Sequence, residues 1–553
     1  MERAIAQWTG HDVTIQGGSN ITFWPQPRIE VERLTVSKAG PEGVRVLSRT
    51  EKLSAEFSLY HALSGAAVFE DFRLVNPEIF VIRDKTGRLD WANDGQLSAA
   101  TRSVAASRSQ NALDPALDVT VGDVAIESGV IEISDVSSGD TWRVTDINGE
   151  IEWPRLSASA SAEVTAQVQR QRVQITASSP QPLLLLAGST AAFDGSIASP
   201  LLTGRFAGSA NLADYGFVSG KLELSAPDVP ALAGWAGLQT AQIASLEQLS
   251  LTAQLLTTEE AVRFDQMQLS VNGSVGSGLL EFSLPAAGSR RIGGTLAFDR
   301  INLTNVTTAI AAAQTEGEDN SLAAQLDLDI RVSGKQATAG PLVLVDTAVS
   351  IMTRTDEARI DIVDATAAGG RVTGQIMGNG RSLRSGGTVR LAIRDADLSV
   401  LWQHLGLVGP LPIARGTIGL DLSFPGTVSS PSLASVDGLL RITSGPGLLP
   451  EVDPSVLLQR VGSQSYSPLR NPSGEGFDYQ RLELVARLDN GVAQVETAIV
   501  EGADGVTSLT GIVSYLDGGL ALSADITASS GTAPPQRVFI GGTWPDPMAI
   551  EIP

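Results

Sequence analysis

Apolar and polar residues alternate with period two over most of the chain. Leu326, Leu328, Ile330 and Val332 alternate with Asp327, Asp329 and Arg331; Ile418, Leu420, Leu422 and Phe424 alternate with Gly419, Asp421 and Ser423. Leu222–Leu224, Leu249–Leu251–Ala253–Leu255, Ile360–Ile362, Leu482–Leu484 and Leu520–Leu522–Ala524–Ile526 repeat the form. Each run predicts a strand with one apolar and one polar face. Between Val262–Phe264 and Met267–Leu269–Val271 the parity shifts once, at Gln266, which predicts a bulge or bend. Asp489-Asn490-Gly491, Asn272-Gly273, Asp517-Gly518-Gly519 and Gly369-Gly370 separate the runs and supply positive φ cheaply, so sequential strands are expected to run antiparallel. Helical periodicity is rare and short. In residues 453–461, Asp453 makes an N-cap and Pro454 a first helical residue for an amphipathic segment. Such a helix either docks on a membrane or partner, or plugs the end of a sheet.

An alternating sheet has one wet face, and something must cover the other. Few helices are on offer. The sheet must close on itself, pack on another sheet, or keep an apolar channel for a ligand. The expected fold is all-β with a few short helices: an elongated, twisted, mostly antiparallel sheet, repeat-like, forming an apolar groove. Weak repeats begin at Gly220, Gly294 and Gly387, each a strand followed by a short helix-like apolar stretch. Their starts lie 74 and 93 residues apart, too uneven for a strict solenoid. Residues 93–112 and 462–476 are polar and lack alternation, and residues 315–320 form a smaller acidic loop. The expected organisation is an N-terminal region 1–95, a polar linker or loop 96–115, strand modules 116–462, a polar loop 463–478 and a C-terminal region 479–553.

The composition narrows the chemistry. At 553 residues and 42% hydrophobic, the chain can bury a core. It has no Cys, which excludes disulfides, thiolate metal sites and a cysteine nucleophile. His11, His61 and His404 stand singly, against a His-based metal or catalytic constellation. Lys plus Arg is 39 and Asp plus Glu is 61, a net charge of −22. That balance opposes sequence-independent nucleic-acid binding and docking on an anionic membrane through a basic face. No metal and no cofactor is expected. Gly369-Gly370-Arg371 and Gly293-Gly294-Thr295 lack a following Gly-Lys-Ser/Thr and are read as turns, not phosphate loops. Asp327/Asp329 and Asp395/Asp397 are read as solvated carboxylates. No run of 18 apolar residues predicts a membrane-spanning helix, and residues 1–8 lack the apolar core of a signal peptide.

Residues 1–95 resemble the N-terminal region of the AsmA family of bacterial envelope proteins. The likeness runs through Thr9 to Ile15, Pro25-Gln26-Pro27-Arg28-Ile29 and Leu53 to Leu59. It is most specific from Phe69 to Trp91, in Pro77, Ile79, Arg83, Asp84, Gly87 and Trp91. The last stretch, 482–553, is similar to the family's C-terminal region, with Gly542, Trp544 and Pro547 in its closing strand. The resemblance implies a non-enzymatic role in outer-membrane biogenesis on the periplasmic side of the inner membrane. Larger relatives are proposed to be β-sheet grooves that carry phospholipid between the two membranes. An indirect role in assembling outer-membrane proteins is the other activity associated with the family. Members normally begin with one membrane-spanning helix, and the likeness starts where that helix would end. The implied partners are phospholipid acyl chains, the inner membrane through an anchor missing from this chain, and an outer-membrane or periplasmic protein; nucleic acid is not among them.

The residues independently suit such a groove. An acyl chain gains about 0.8 kcal/mol per buried methylene, so an apolar face needs no headgroup chemistry. The expected lining is Val119, Val121, Trp142, Val144, Ile151, Trp153, Val173, Ile175, Leu222, Leu224, Leu249, Leu251, Phe264, Met267, Leu269, Ile360, Ile362, Val389 and Leu391. About 25 strands at roughly 4.8 Å would make a groove of about 120 Å, the length of a short shuttle or one part of a relay. Two other classes stay open: a surface or extracellular β-rich scaffold whose apolar faces pack on each other, and a β-helical carbohydrate-active enzyme. The 5% aromatic content disfavours the last.

Overall fold

The computed structural model describes residues 1–40, 43–63, 68–83, 95–106, 113–136, 139–211, 217–236, 246–285, 289–306, 326–354, 357–380, 382–426, 432–463, 466–529 and 534–552. Strand makes up 66% and helix 13%, so the protein is all-β with a few short helices, as the alternation predicts. It folds as two compact units, Met1–Thr240 with Leu246–Gly273, and Ser274–Pro553 with Ala241–Ser245.

The first unit holds fourteen strands among the described residues, from Asp12–Ile15 to Ala261–Val271. Arg28–Gly40 pairs with the two short strands before it. From there each strand pairs with the next in sequence. The second unit holds sixteen, from Ser274–Ser283 to Met548–Glu551, again nearly all sequential. The exception is Ser467–Pro468, which pairs with the last strand. Within each unit the sheet is open, because no pairing described joins its first strands to its last.

Among the described residues two junctions are parallel: Phe69–Arg83 beside Thr120–Asp135, and Arg290–Asn302 beside Leu326–Ala339. Parallel neighbours cannot be joined by a tight turn and need a crossover of a dozen or more residues. The non-alternating stretches around 93–112 and 315–320 fall in these two crossovers. The first is not simply a linker. It contains the helix Gln96–Ala106, with Ala100 and Val104 buried, and the turn Pro115–Leu117. The acidic loop 315–320 lies outside the described residues. In the stretch 463–478, Ser467–Pro468 forms a short strand, with Ser467 fully buried and Asn471 nearly so.

Local chemistry explains the turns and bends. Asn490 (φ 48°) and Gly491 (φ 90°) make the two-residue turn between Asp489 and Val492. At Gly369-Gly370 the positive φ values fall on Ala368 and Gly369. Gly293-Gly294-Thr295, expected as a turn, lies inside Arg290–Asn302. There Gly294 lets two strands approach, since a Cβ would sit 2.3 Å from the Leu279 carbonyl oxygen. Gln266 does mark a bulge: its φ is 49° and the register slips between Thr252 and Gln254. Asp71, Ser128, Asp146, Asp346 and Asp395 take the same conformation beside their own register changes. An extra residue at each bulge restores parity: Phe69 before Asp71, and Phe72 and Leu74 after it, line one cavity.

Helices cover the apolar face only in places. Asp228, Asp397 and Asp453 cap Val229–Trp235, Leu398–His404 and Pro454–Val461 through 2.8–2.9 Å bonds from backbone N–H groups. The first two helices end the repeats that start at Gly220 and Gly387. Leu398, Leu401 and Trp402 pack into one cluster with Val332, Val349 and Ile360. Leu457 and Val461 of the predicted 453–461 segment pack on Ala524, Val538 and Ile540, so this helix plugs a sheet end. Leu183, Leu184 and Leu185 cluster with Ala100, Val104 and Val121.

Candidate functional site

Cross-strand register converts the separate alternations into continuous rows. In the first unit, Val31, Leu53, Leu74, Ile126, Gly149, Val164, Ile175, Ile197, Gly204, Leu224, Leu251 and Leu269 stand opposite one another on twelve successive strands. At about 4.8 Å per strand the row is about 50 Å long. Beside it run Phe72, Val124, Ile151, Ala162, Ala177, Gly195, Phe206, Leu222 and Ala253. In the second unit a row runs through Leu296, Val332, Val349, Ile362, Gly374, Leu391, Leu420, Leu440, Ala486, Val495, Gly511, Leu522, Ile540 and Ala549.

Burial decides what these rows are. Val31 and Leu53 are buried, but from Leu74 to Leu269 every member is at least partly exposed, Ile175 by 41%. Ile362, Gly374, Leu391, Leu420 and Leu440 are likewise only half-buried. Elsewhere the helices cover the second row: Val332 and Val349 belong to the Leu401 cluster, Ile540 and Ala549 to the Leu457 cluster. A sheet face in ordinary sandwich contact would bury nearly every inward side chain. Among the described residues, Ile126 to Leu269 belong to no helix-covered cluster, whereas Leu74 lies under the helix Glu2–Thr9 and Ile362, Leu391, Leu420 and Leu440 pack against the edge of the Leu401 cluster.

The predicted lining residues divide accordingly. Ile151, Ile175, Leu222, Leu224, Leu251, Leu269, Ile362 and Leu391 fall in the rows just described. Val389 lies between Ile376 and Leu422, and Phe264 opposite Leu255, all on partly exposed positions. Leu249 is half-buried between Ala226 and Val271, and Val144 between Ile131 and Val168. Trp142 is 48% exposed opposite Ile133. Val173, Met267 and Ile360 are corrected: all are buried within the sheet's packing; Val121 is as deeply buried, but against the cavity described below. Helices roof Val121 and Ile360, and Met267 sits beside the Gln266 bulge. Trp153 is half-buried against the first helix-covered cluster, and its indole Nε1 is buried without a hydrogen-bond partner.

Val119 and Val121 open onto a feature the sequence did not reveal. A cavity of about 410 Å³ lies beneath the helix Glu2–Thr9. Ile5 and Trp8 form one side, Leu34, Val36 and Leu53 another, and Phe69, Phe72, Leu74 and Ile79 a third. Leu53, Leu74 and Phe72 are also members of the two rows, which therefore run into the cavity wall. Of the cavity's lining, the sequence singles out Val119 and Val121 as expected apolar lining and Ile79 as a motif position.

The opposite face is polar. Arg263–Asp265 and Arg359–Asp361 (both 2.8 Å), Arg390–Asp421 (3.2 Å) and Arg537–Asp525 (2.7 Å) form exposed ion pairs there. Such pairs contribute little stability individually, but they keep this face wet. The carboxylates read as solvated have local partners: Asp327 accepts from the Ser289 hydroxyl at 2.7 Å, Asp329 pairs with Arg291, and Asp395 with Arg415 at 2.9 Å. Among the described residues no three His, Asp or Glu are grouped as metal ligands.

The motif positions are structural. Pro27 accepts from the Phe57 backbone N–H at 3.0 Å, Pro77 is fully buried, and Arg83 pairs with Asp135 at 3.3 Å. Gly542 has φ 113°, Trp544 Nε1 donates to the Val408 carbonyl at 2.6 Å, and the Pro547 carbonyl accepts from Leu469 N at 3.0 Å. Asp84, Gly87 and Trp91 lie outside the described residues. Among those described, no helix is long and apolar enough to cross a membrane. No protein-family model, curated protein or solved structure matches the chain.

Proposed function

We propose that this protein handles lipid without catalysis, holding acyl chains along the uncovered apolar face of its open sheets. The observation that carries the reading is the partly exposed row from Ile126 to Leu269, apolar or glycine at every position. Water beside such a row is displaced favourably by any alkyl chain, at about 25 cal/mol per Å² of apolar surface. No fixed polar constellation interrupts the row, so selectivity among headgroups is expected to be low. The AsmA-like N- and C-terminal motifs add the setting: transfer of phospholipid between inner and outer membranes, on the periplasmic side of the inner membrane, with an indirect effect on outer-membrane protein assembly as the variant role.

Native mass spectrometry of protein purified in mild detergent, with lipid analysis of what co-purifies, tests the reading. Phospholipid above a matched β-sandwich control is expected. A folded, lipid-free protein that also takes up no lipid from vesicles would replace it with the scaffold reading.

A further inference from the structure

We infer that the cavity under the helix Glu2–Thr9 is a distinct binding site for one alkyl chain of a lipid. The inference rests on the lipid-handling reading and deepens it, by assigning a half-open end-site beneath a helix in addition to the open rows. Three observations carry it. The first is size. An apolar cavity of about 150 Å³ accepts a six-carbon ring, so about 410 Å³ accepts on the order of sixteen carbons, one long chain and not two. The second is lining. Ile5, Trp8, Leu34, Phe72, Leu74 and Val121 supply apolar walls, Ser48 and Thr50 are buried hydroxyl members, and Gln7, Thr9, Gln96 and Thr120 add polar groups at exposed or partly exposed positions. This mixture suits a chain with one polar end. The third is continuity: Leu53, Leu74 and Phe72 line the cavity and also begin the rows, so a chain can pass from row to cavity along one apolar surface.

The roof is built to be displaced. The helix turns Ala4, Ile5 and Trp8 inward and Glu2 and Arg3 to solvent, with the exposed Gln7 also lining the cavity, yet none of its residues is fully buried. One end is held by Glu2 Oε1 accepting from the Ile15 backbone N–H at 2.8 Å. The other ends at Gly10, with φ 71°, close against Gly95.

Trp8 is a built-in reporter, and a chain without Cys keeps labelling simple. The probes are a stearic acid carrying a nitroxide quencher near its methyl end, and vesicles of phosphatidylcholine carrying the same quencher. The signal is the part of tryptophan quenching that disappears in Trp8→Phe. Saturable Trp8 quenching is expected, reduced at least tenfold in affinity by Ala4→Phe or Val68→Phe, which place a ring in the cavity or at its edge. Circular dichroism melts select the variants that remain folded. Quenching by both probes identifies a membrane-lipid chain, and quenching by the fatty acid alone a single-chain amphiphile; either supports the site. Absence of Trp8 quenching by both probes overturns it, as does undiminished quenching in folded filled variants. If lipid still co-purifies in that case, the open rows stand and only the end-site fails. If Trp8 is quenched but Leu224→Lys leaves lipid load unchanged, the site stands and the row reading fails.

Discussion

Leu224→Lys separates an open apolar face from a packed one. Leu224 is half-buried, between Gly204 and Leu251 in the first-unit row. Its Cδ2 and the Cγ2 of Ile197 lean over Gly204, where a Cβ would meet them at 3.0 and 2.8 Å. These groups make a shallow floor open on one side. A lysine stem can cover the same floor and carry its ammonium into water. Destabilisation of the lipid-free protein is therefore expected to stay within about 1 kcal/mol. Were the row the core of a closed sandwich, an unpaired buried ammonium would cost several kcal/mol or lose its proton. The effect on lipid should be larger. An acyl chain lying across Leu224 would lose contact over about four methylenes, about 1.5–3 kcal/mol allowing for one-sided cover. That is a ten- to hundredfold loss of affinity. Urea unfolding and native mass spectrometry of lipid occupancy measure the two effects on the same preparation. A fall of more than about 3 kcal/mol in stability with no lipid in the parent protein would refute the open-face argument.

Four further outcomes follow from particular contacts. Leu401 is fully buried in the cluster that covers Val332 and Val349, so Leu401→Ala should cost about 2–5 kcal/mol, read by a thermal melt; a change under 1 kcal/mol would mean the helix is not a structural cover. The Ser399 hydroxyl, donating to Asp397 Oδ1 at 2.6 Å, holds that carboxyl below its usual range. A lowered folded-state value stabilises above the unfolded value, near pH 4, and that contribution is lost as pH falls through the folded one. Asp397→Ala should therefore cost about 1 kcal/mol at neutral pH and flatten the acid limb of the stability curve; an unchanged limb counts against the cap. Tyr479 and Ser444 share a buried 2.9 Å hydrogen bond, and burial raises the Tyr479 pKa. Tyr479→Phe should cost about 1–2 kcal/mol in urea unfolding, whereas no loss would mean that water replaces the bond. A Cβ on Gly95 would lie 2.4 Å from the Trp8 carbonyl oxygen. Gly95→Ala should push the roof helix outward, red-shift Trp8 emission and weaken probe binding; an unchanged spectrum would show that the roof absorbs the methyl group.

The sequence by itself determined what depends on neighbours along the chain. Strand identity, the bulge at Gln266, the turn at Asn490-Gly491 and the Asp453-capped helix all follow from local periodicity and backbone preference. It could not show which strands stand side by side, because register is a relation between distant residues. Only the tertiary structure aligned Val31 with Leu269 through ten intervening positions, and only burial distinguished the half-exposed Leu224 from the covered Met267 and Ile360. The helix Gln96–Ala106 escaped notice because its buried positions are Ala100 and Val104 in a polar stretch, too small a signal without the Leu183–Leu185 surface they pack on. The cavity escaped for the same reason. Trp8, Leu34, Phe72 and Val121 lie far apart in sequence, and the bulges and parallel crossover that bring them together act through space rather than along the chain.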